Sequence, residues 1–208
     1  MTVLNKLASN LGRRDEVPNQ VLACEIARSG DKKAVKELVD NLFHKDKNIQ
    51  SDCIKVLYEI GEQRPELIAG YYRQFGELLD SNNNRLTWGA MTALDAIASQ
   101  EPKGVYSFLS KILASSEAGS VITRDHAVGI LIKLATLKQY AARCFPLLIE
   151  QLLTCPNNQL PMYAEMSLVA VTATNRAALE RVLTNRLPGL EKESQKKRVA
   201  KVLKRLTR

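Results

Sequence analysis

Few side chains of this sequence have the chemistry of a catalytic centre. The chain has two histidines, His44 and His126, and one tryptophan, Trp88. His126 follows Asp125, but adjacent residues of an α-helix point about 100° apart, so this aspartate is not expected to orient the imidazole. Without an orienting group, His126 is predicted to be a surface or partner contact rather than a general base. His44, near the end of a predicted helix, is interpreted as a cation that the helix C-terminus favours.

Nucleotide-binding and metal-binding motifs are absent from the sequence. It contains neither G-x-x-x-x-G-K-[ST] nor G-x-G-x-x-G, and neither H-E-x-x-H nor C-x-x-C. Three of the four cysteines lie in apolar helical patterns, where we expect them to be reduced and to behave as small hydrophobic residues. We therefore predict no metal, no cofactor and no enzymatic activity.

Positive charge is concentrated at the end of the chain. From Arg176 to Arg208 there are eleven Lys or Arg residues and three acidic residues, whose net charge of +8 equals that of the whole chain. This is typical of a capping helix, because a terminal repeat needs a polar outer face. An anion-binding role is compatible with capping, whereas a membrane-surface helix is disfavoured because Trp and Phe are missing here. The candidate anion-binding residues are Lys197, Arg198, Lys201, Arg205 and Arg208.

The elements that must position these residues follow an internal repeat of 37 residues. Four stretches share a small fifth residue, a leucine at the ninth position, and Ile, Leu or Val at the twelfth. They are IQSDCIKVLYEIG (49–61), LTWGAMTALDAIA (86–98), TRDHAVGILIKLA (123–135) and LPMYAEMSLVAVT (160–172). Offsets of three and four place the apolar residues on one face of an α-helix. Since other amphipathic segments lie between these stretches, we expect about twelve helices in six antiparallel pairs.

The repeated pattern resembles the HEAT-repeat family of the armadillo-like class. The resemblance implies an all-α fold, a right-handed α-solenoid of about six antiparallel helix pairs. It covers nearly the whole chain as one domain, with capping pairs at 1–30 and 175–208 and core repeats at 31–174. Only Arg124 matches the arginine that HEAT repeats often place near the start of the second helix. Stacking is therefore expected to depend on apolar contacts.

The resemblance also implies that the second helices line the concave side of the solenoid. If the repeated leucines point to the core, the fourth, seventh and eleventh positions of each stretch form the opposite ridge. This ridge is small, mildly polar and nearly uncharged. We expect it to bind a peptide or helix of another protein, with an acidic portion of that partner at the basic C-terminal end. The candidate partner-binding residues are Lys55, Trp88, Thr92, His126, Lys133, Tyr163 and Met166.

The sequence thus predicts a non-enzymatic, cytoplasmic interaction scaffold, because it has no membrane span and no signal-peptide core. The alternative is a nucleic-acid-binding protein, related to HEAT-like DNA glycosylases that use a cleft of Trp, Asp and Arg for alkylated bases. Trp88 is followed by Thr92 and Asp95, but a matching Arg and a second aromatic wall are missing. That catalytic site is therefore not transferred. For Trp88, packing is favoured over anchoring a partner.

Overall fold

The computed structural model describes residues 2–207, and the regular elements in that range are all helical. The prediction of an all-α fold is confirmed. The chain divides into two compact units, Met1–Ala127 (unit 1) and Val128–Arg208 (unit 2). The division into capping and core segments stays a prediction. No helix within residues 2–207 is long and apolar enough to cross a membrane, and the cytoplasmic location also stays a prediction.

Unit 1 is built from consecutive helices that pack on one another. Helix α3 packs against α1, α2 and α5, and α5 also packs against α4. The helices are α1 (Val17–Ser29), α2 (Lys32–Asp40), α3 (Lys47–Gln63), α4 (Tyr72–Leu78), α5 (Asn84–Ile97), α6 (Pro102–Ser107), α7 (Leu109–Ala118) and the first part of α8 (Val121–Ala135).

Polar residues and one glycine set the ends of these helices. The side chains of Asp31, Asp46 and Asn83 accept hydrogen bonds from backbone N–H groups in the first turns of α2, α3 and α5. Such caps satisfy donors that have no partner inside the helix. Gly30 ends α1 with a φ of 68°, a left-handed conformation that glycine adopts without strain.

The prediction of twelve helices places an opening helix over residues 3–12, but no α-helix forms there. The structure has a 3₁₀ turn over Val3–Lys6, and irregular turns follow it. The backbone N–H of Ala8 donates to Asn19 Oδ1 at 2.9 Å, and that of Ser9 donates to Asp52 Oδ2 at 2.8 Å. These long-range bonds take donors that an α-helix would use, so the segment lies against α1 and α3 instead.

The core follows the repeat pattern in the first three stretches, and the fourth departs from it at Leu168 and Val171. The small fifth residues Cys53, Ala90, Ala127 and Ala164 are all fully buried. The ninth-position leucines of the first three stretches are also fully buried, but Leu168 is only half-buried. Helix α10 has already ended there and continues as a 3₁₀ turn, which changes the direction of the side chain.

Unit 2 consists of the remainder of α8 and four further helices. Helix α12 packs against α10 and α11, and α9 also packs against both of them. The helices are α9 (Lys138–Thr154), α10 (Leu160–Ser167), α11 (Arg176–Arg186) and α12 (Glu193–Leu206).

Candidate functional site

Unit 1 contains a cavity of about 710 Å³. Its walls are the N-terminal segment 8–16, helices α3 and α5, and the first turn of α8. Residues from one face of each helix line it, at spacings of three and four. From α3 these are Asn48, Ser51, Asp52, Ile54, Lys55 and Tyr58, from α5 they are Arg85, Trp88, Gly89 and Thr92, and α1 contributes Asn19.

Equivalent residues of successive repeats line this cavity. Asn48, Arg85 and Ile122 all contribute to its wall, and each stands 37 residues after the one before. At 100° per residue, this position is directly opposite the repeated core leucine. It precedes the aligned stretches by one residue, so sequence analysis, which took the ridge from the fourth position onwards, missed it. Extending the repeat by one residue would have found Arg85.

Three predicted contact residues, Lys55, Trp88 and Thr92, come together at the cavity. Thr92 is 8% exposed, and its Oγ1 donates to the carbonyl of Trp88 at 2.9 Å, within its own helix. Trp88 is half-buried and part of its side chain faces the cavity. Of these three residues, Trp88 therefore offers the largest surface to a ligand.

The charge of Lys55 is neutralised inside unit 1. Its Nζ lies 2.7 Å from Glu59 Oε1 and 3.0 Å from Glu16 Oε2, and 4.8 Å from the centre of the Tyr58 ring. Burial lowers the pKa of Lys55, but its hydrogen bonds to Glu59, Tyr58 and Glu16 outweigh this effect and raise the pKa above the ordinary value. Lys55 thus holds the cavity wall together.

Asp52 also serves the architecture of the cavity. Its carboxylate accepts hydrogen bonds from the backbone N–H of Ser9 at 2.8 Å and from Asn19 Nδ2 at 2.7 Å. Asn19 is 1% exposed, and its Oδ1 accepts from Ala8. This network joins the N-terminal segment, α1 and α3, and it uses both carboxylate oxygens of Asp52.

The cavity has three arginines, of which Arg13 has a partner and Arg14 and Arg85 have none within residues 2–207. Arg13 binds Asp15 through two hydrogen bonds of 2.9 and 2.8 Å, and this guanidinium holds the pKa of the Asp15 carboxyl below its usual value. Arg14 and Arg85 are exposed and make no side-chain hydrogen bond or ion pair with residues 2–207. The cavity therefore has free guanidinium groups that sequence analysis did not identify.

His126 has an orienting carboxylate, contrary to the sequence interpretation. Its Nδ1 lies 2.9 Å from Asp95 Oδ2, and the two side chains are 25% and 17% exposed. Asp95 comes from α5, the second helix of the preceding repeat, so no motif in the local sequence predicts its contact with His126. The contact joins α5 to α8, and His126 does not line the cavity.

The predicted contact residues of unit 2 and of the second part of α8 differ in exposure. Tyr163 is 1% exposed, so its prediction as a surface residue is wrong: α10 packs between α9 and α12, which leaves this ring in the core. Met166 is 39% exposed and Lys133 is half-buried. Only Met166 is freely accessible.

The basic face of α12 is exposed. Lys197, Lys201 and Arg205 point to solvent, as does Arg198. Arg198, however, binds Glu165 of α10 through hydrogen bonds of 2.9 and 2.6 Å and lowers the pKa of that carboxyl. The fifth predicted anion-binding residue, Arg208, lies outside the described residues.

The cysteines are free thiols, with Cys24 exposed and Cys53, Cys144 and Cys155 buried. Burial raises the pKa of Cys53 to about 12 and that of Cys144 to about 11, which keeps these thiols protonated. Residues 2–207 contain no group of three or more His, Cys, Asp or Glu side chains arranged to hold a metal ion.

No protein-family model and no curated protein matches this sequence. Solved structures of repeat proteins do match it along its length. An engineered protein, 19% identical, has a TM-score of 0.65 and covers 100% of this chain and 97% of its own. A designed armadillo repeat protein in complex with the peptide (KR)4, 15% identical, has a TM-score of 0.67 and covers 99% and 100%. Computationally designed armadillo repeat proteins for modular peptide recognition, 16% identical, have a TM-score of 0.64 and cover 97% of both chains. At these identities the likeness establishes the fold.

Proposed function

On the premise of an armadillo/HEAT-like helical-repeat fold, we propose that this protein is a non-enzymatic scaffold that binds an extended peptide of another protein in the cavity of unit 1. The observation that carries the proposal is the repeated lining. Asn48, Arg85 and Ile122 occupy one position of three successive repeats and face one cavity.

This periodic lining suits an extended chain. Packed helices lie about 8–10 Å apart, and an extended peptide rises about 3.3 Å per residue, so every third peptide residue meets the next repeat. The exposed amide of Asn48 has both donors and an acceptor for a peptide backbone. Trp88 adds an aromatic surface of the kind that dominates interface energies. The designed armadillo repeat proteins of similar structure, which are described as peptide binders, support the same function.

Filling the cavity tests this proposal. Ser51 lines the cavity, and its Oγ donates to the carbonyl of Lys47 at 2.8 Å. A Ser51→Leu variant should lose the peptides that the parent protein selects from a random phage-displayed library. Ser29→Leu is the matched control, because Ser29 Oγ donates to the carbonyl of Glu25, four residues earlier in the helix, far from the cavity lining.

Both variants should keep the circular dichroism spectrum and melting temperature of the parent, since each serine is on a helix surface. Equal recovery of the selected peptides by Ser51→Leu and Ser29→Leu would exclude the cavity as the binding site.

Nucleic-acid binding by α12 is a second candidate. The observation that favours it is a row of exposed cations, Lys197, Lys201, Lys204 and Arg205, without ion-pair partners in residues 2–207. Binding should weaken steeply as salt rises, because each phosphate contact releases counterions. The Lys201→Glu, Arg205→Glu double variant should abolish it, whereas the same charge change at Lys32 and Lys33, both exposed on α2, should not. Salt-insensitive binding, or equal loss in both variants, would reject this candidate.

A further inference from the structure

The charged groups that the unit 1 cavity leaves free are hydrogen-bond donors. Its carboxylates are engaged: Asp52 with two N–H groups, Asp15 with Arg13, and Glu16 with Lys55. Within the described residues, the side chains of Arg14 and Arg85 and the indole N–H of Trp88 have no hydrogen-bond partner. A ligand must therefore bring acceptors.

The free arginines also converge from separate elements. Arg14 belongs to the N-terminal segment that the Asp52 network fastens to α1 and α3, and Arg85 belongs to the first turn of α5. A guanidinium presents a planar fork of N–H groups that matches the two oxygens of a carboxylate. Two such groups at one cavity recognise more than one negative charge.

We infer that the cavity selects an extended peptide rich in Asp and Glu, whose carboxylates bind Arg14 and Arg85 while the backbone passes Trp88. The inference rests on the proposed peptide-binding function and names the chemistry of the partner segment. A cationic peptide is disfavoured at this cavity, because the free arginines repel it and the carboxylates already bind Arg13, Asn19 and Lys55. The site thus has the opposite preference to the designed armadillo repeat protein in complex with (KR)4.

Three octapeptides test the inference on the full chain: acidic (ED)4, neutral (QS)4 and basic (KR)4. Trp88 is the only tryptophan of the chain and lines the cavity, so its fluorescence reports occupancy of this site. The (ED)4 peptide should change Trp88 emission and bind at least about tenfold more tightly than (QS)4, a typical gain for charge-assisted bonds. The (KR)4 peptide should leave the emission unchanged.

Matched double variants separate recognition from general electrostatics. Arg14→Gln with Arg85→Gln should weaken (ED)4 binding at least about tenfold. Arg28→Gln with Arg181→Gln removes the same charge from two exposed arginines that do not line the cavity, and it should leave the affinity within about twofold. Arg14→Glu with Arg85→Glu should reverse the preference, so that (KR)4 changes Trp88 emission.

The outcomes that overturn the inference are distinct. If (ED)4 binds without changing Trp88 emission and is lost in Lys201→Gln with Arg205→Gln, the acidic peptide binds α12 and the inference is wrong. If (QS)4 or (KR)4 changes the emission as strongly as (ED)4, and Ser51→Leu abolishes the change, acidic selectivity is wrong while peptide binding stands. If none of the three octapeptides changes Trp88 emission and library selection yields no peptide that does, both proposals are wrong.

Discussion

Unit 1 and unit 2 use their cationic side chains differently. In unit 1, Lys55 is bound to two glutamates, while Arg14 and Arg85 remain free at a cavity. In unit 2, Arg186 and Arg198 are bound within the unit, and four free cations lie along the exposed face of α12. Two free cations of unit 1 therefore lie at one cavity, whereas the free cations of α12 lie on a face exposed to solvent.

This difference shows that the net charge of a segment does not locate its binding site. Residues 1–175 have equal numbers of basic and acidic residues, and the ridge predicted from the repeat is nearly uncharged. The acids that line the cavity are nevertheless used by internal partners, so the unpaired groups there are cationic. Whether a charged side chain can bind a ligand depends on the internal partner that it already has. The net charge of the segment does not reveal this.

The largest expected effect is the difference in labelling rate between the exposed cysteine and the buried cysteines of the two units. At pH 8, a thiol reagent should modify Cys24 at least about a thousandfold faster than the three buried cysteines, because those react only after local opening that costs several kcal/mol. Burial also raises the pKa of Cys53 to about 12, which lowers the reactive thiolate fraction. Mass spectrometry of partially labelled protein would assign each rate.

Cys53 reports the opening of unit 1, and Cys144 and Cys155 report that of unit 2. Identical labelling rates for these three cysteines under all denaturant concentrations would mean that the units open together, and the comparison between them would lose its basis. Fast labelling of all four cysteines would contradict the burial described above.

Arg186 should have the next largest effect, confined to unit 2. Its Nη1 donates to the carbonyls of Leu152 and Cys155 at 2.8 and 2.7 Å, and its Nη2 donates to Asn157 Oδ1 at 2.8 Å. Arg186→Met removes the donor to the Cys155 carbonyl and to Asn157 Oδ1 and one of two donors to the Leu152 carbonyl, so it should destabilise unit 2 by about 2 kcal/mol.

The measurement is the labelling rate of Cys144, which is buried in α9 and has no hydrogen bond with Arg186; it should rise about thirtyfold while that of Cys53 stays unchanged. Arg181→Met is the control, because Arg181 lies exposed on the same helix. Acceleration of Cys53 in Arg186→Met would show that the stabilities of the two units are coupled.

Gly89 should have a smaller effect, confined to unit 1. A Cβ atom at this position would lie 2.4 Å from Ile54 Cγ1, so the glycine permits the close packing of α3 and α5 below the cavity. Alanine favours helix by about 1 kcal/mol, but overpacking costs about 1–3 kcal/mol, so Gly89→Ala should destabilise unit 1 by about 1 kcal/mol.

The labelling rate of Cys53 at increasing denaturant concentrations would measure this loss of stability. Gly70→Ala is the control, because a Cβ there meets no atom within 4 Å. Ile54→Ala removes Cγ1 and Cγ2, so it should cost less stability in Gly89→Ala than in the parent, and equal costs would point to a cause other than this contact.

The sequence predicted what local periodicity determines. The buried fifth residues and the leucines Leu57, Leu94 and Leu131 follow from offsets along single helices, and they are in the core as expected. Contacts between helices join residues far apart in the chain, and no sequence spacing indicates them. Asp95 meets His126 across 31 residues, and Asn19 meets Asp52 across 33. Tyr163 was misplaced because the packing of α10 between α9 and α12 is not visible in its own periodicity.

The smallest expected effect is the loss of stability in Arg198→Gln, whose pH dependence should differ from that of Arg186→Met. Arg198 binds the carboxylate of Glu165, and both side chains are more than a third exposed, so Arg198→Gln should cost less than about 1 kcal/mol at pH 7. The Arg198 hydrogen bonds lower the pKa of Glu165 in the folded state. Their contribution is therefore present above the unfolded pKa of about 4.3 and is lost as the pH falls through the lower folded value.

The unfolding free energies of the parent and Arg198→Gln, measured by urea denaturation, should thus converge towards about pH 3. The cost of Arg186→Met should persist there, because carbonyl and amide oxygens do not titrate in this range. An Arg198→Gln deficit that stays constant from pH 7 to about pH 3 would mean that the stabilising contact of Arg198 is its packing on α10 and not its charge. Arg186 and Arg198 would then both stabilise unit 2 through the fit of their side chains. Arg14 and Arg85 of unit 1 would be the arginines that act more clearly through their charge.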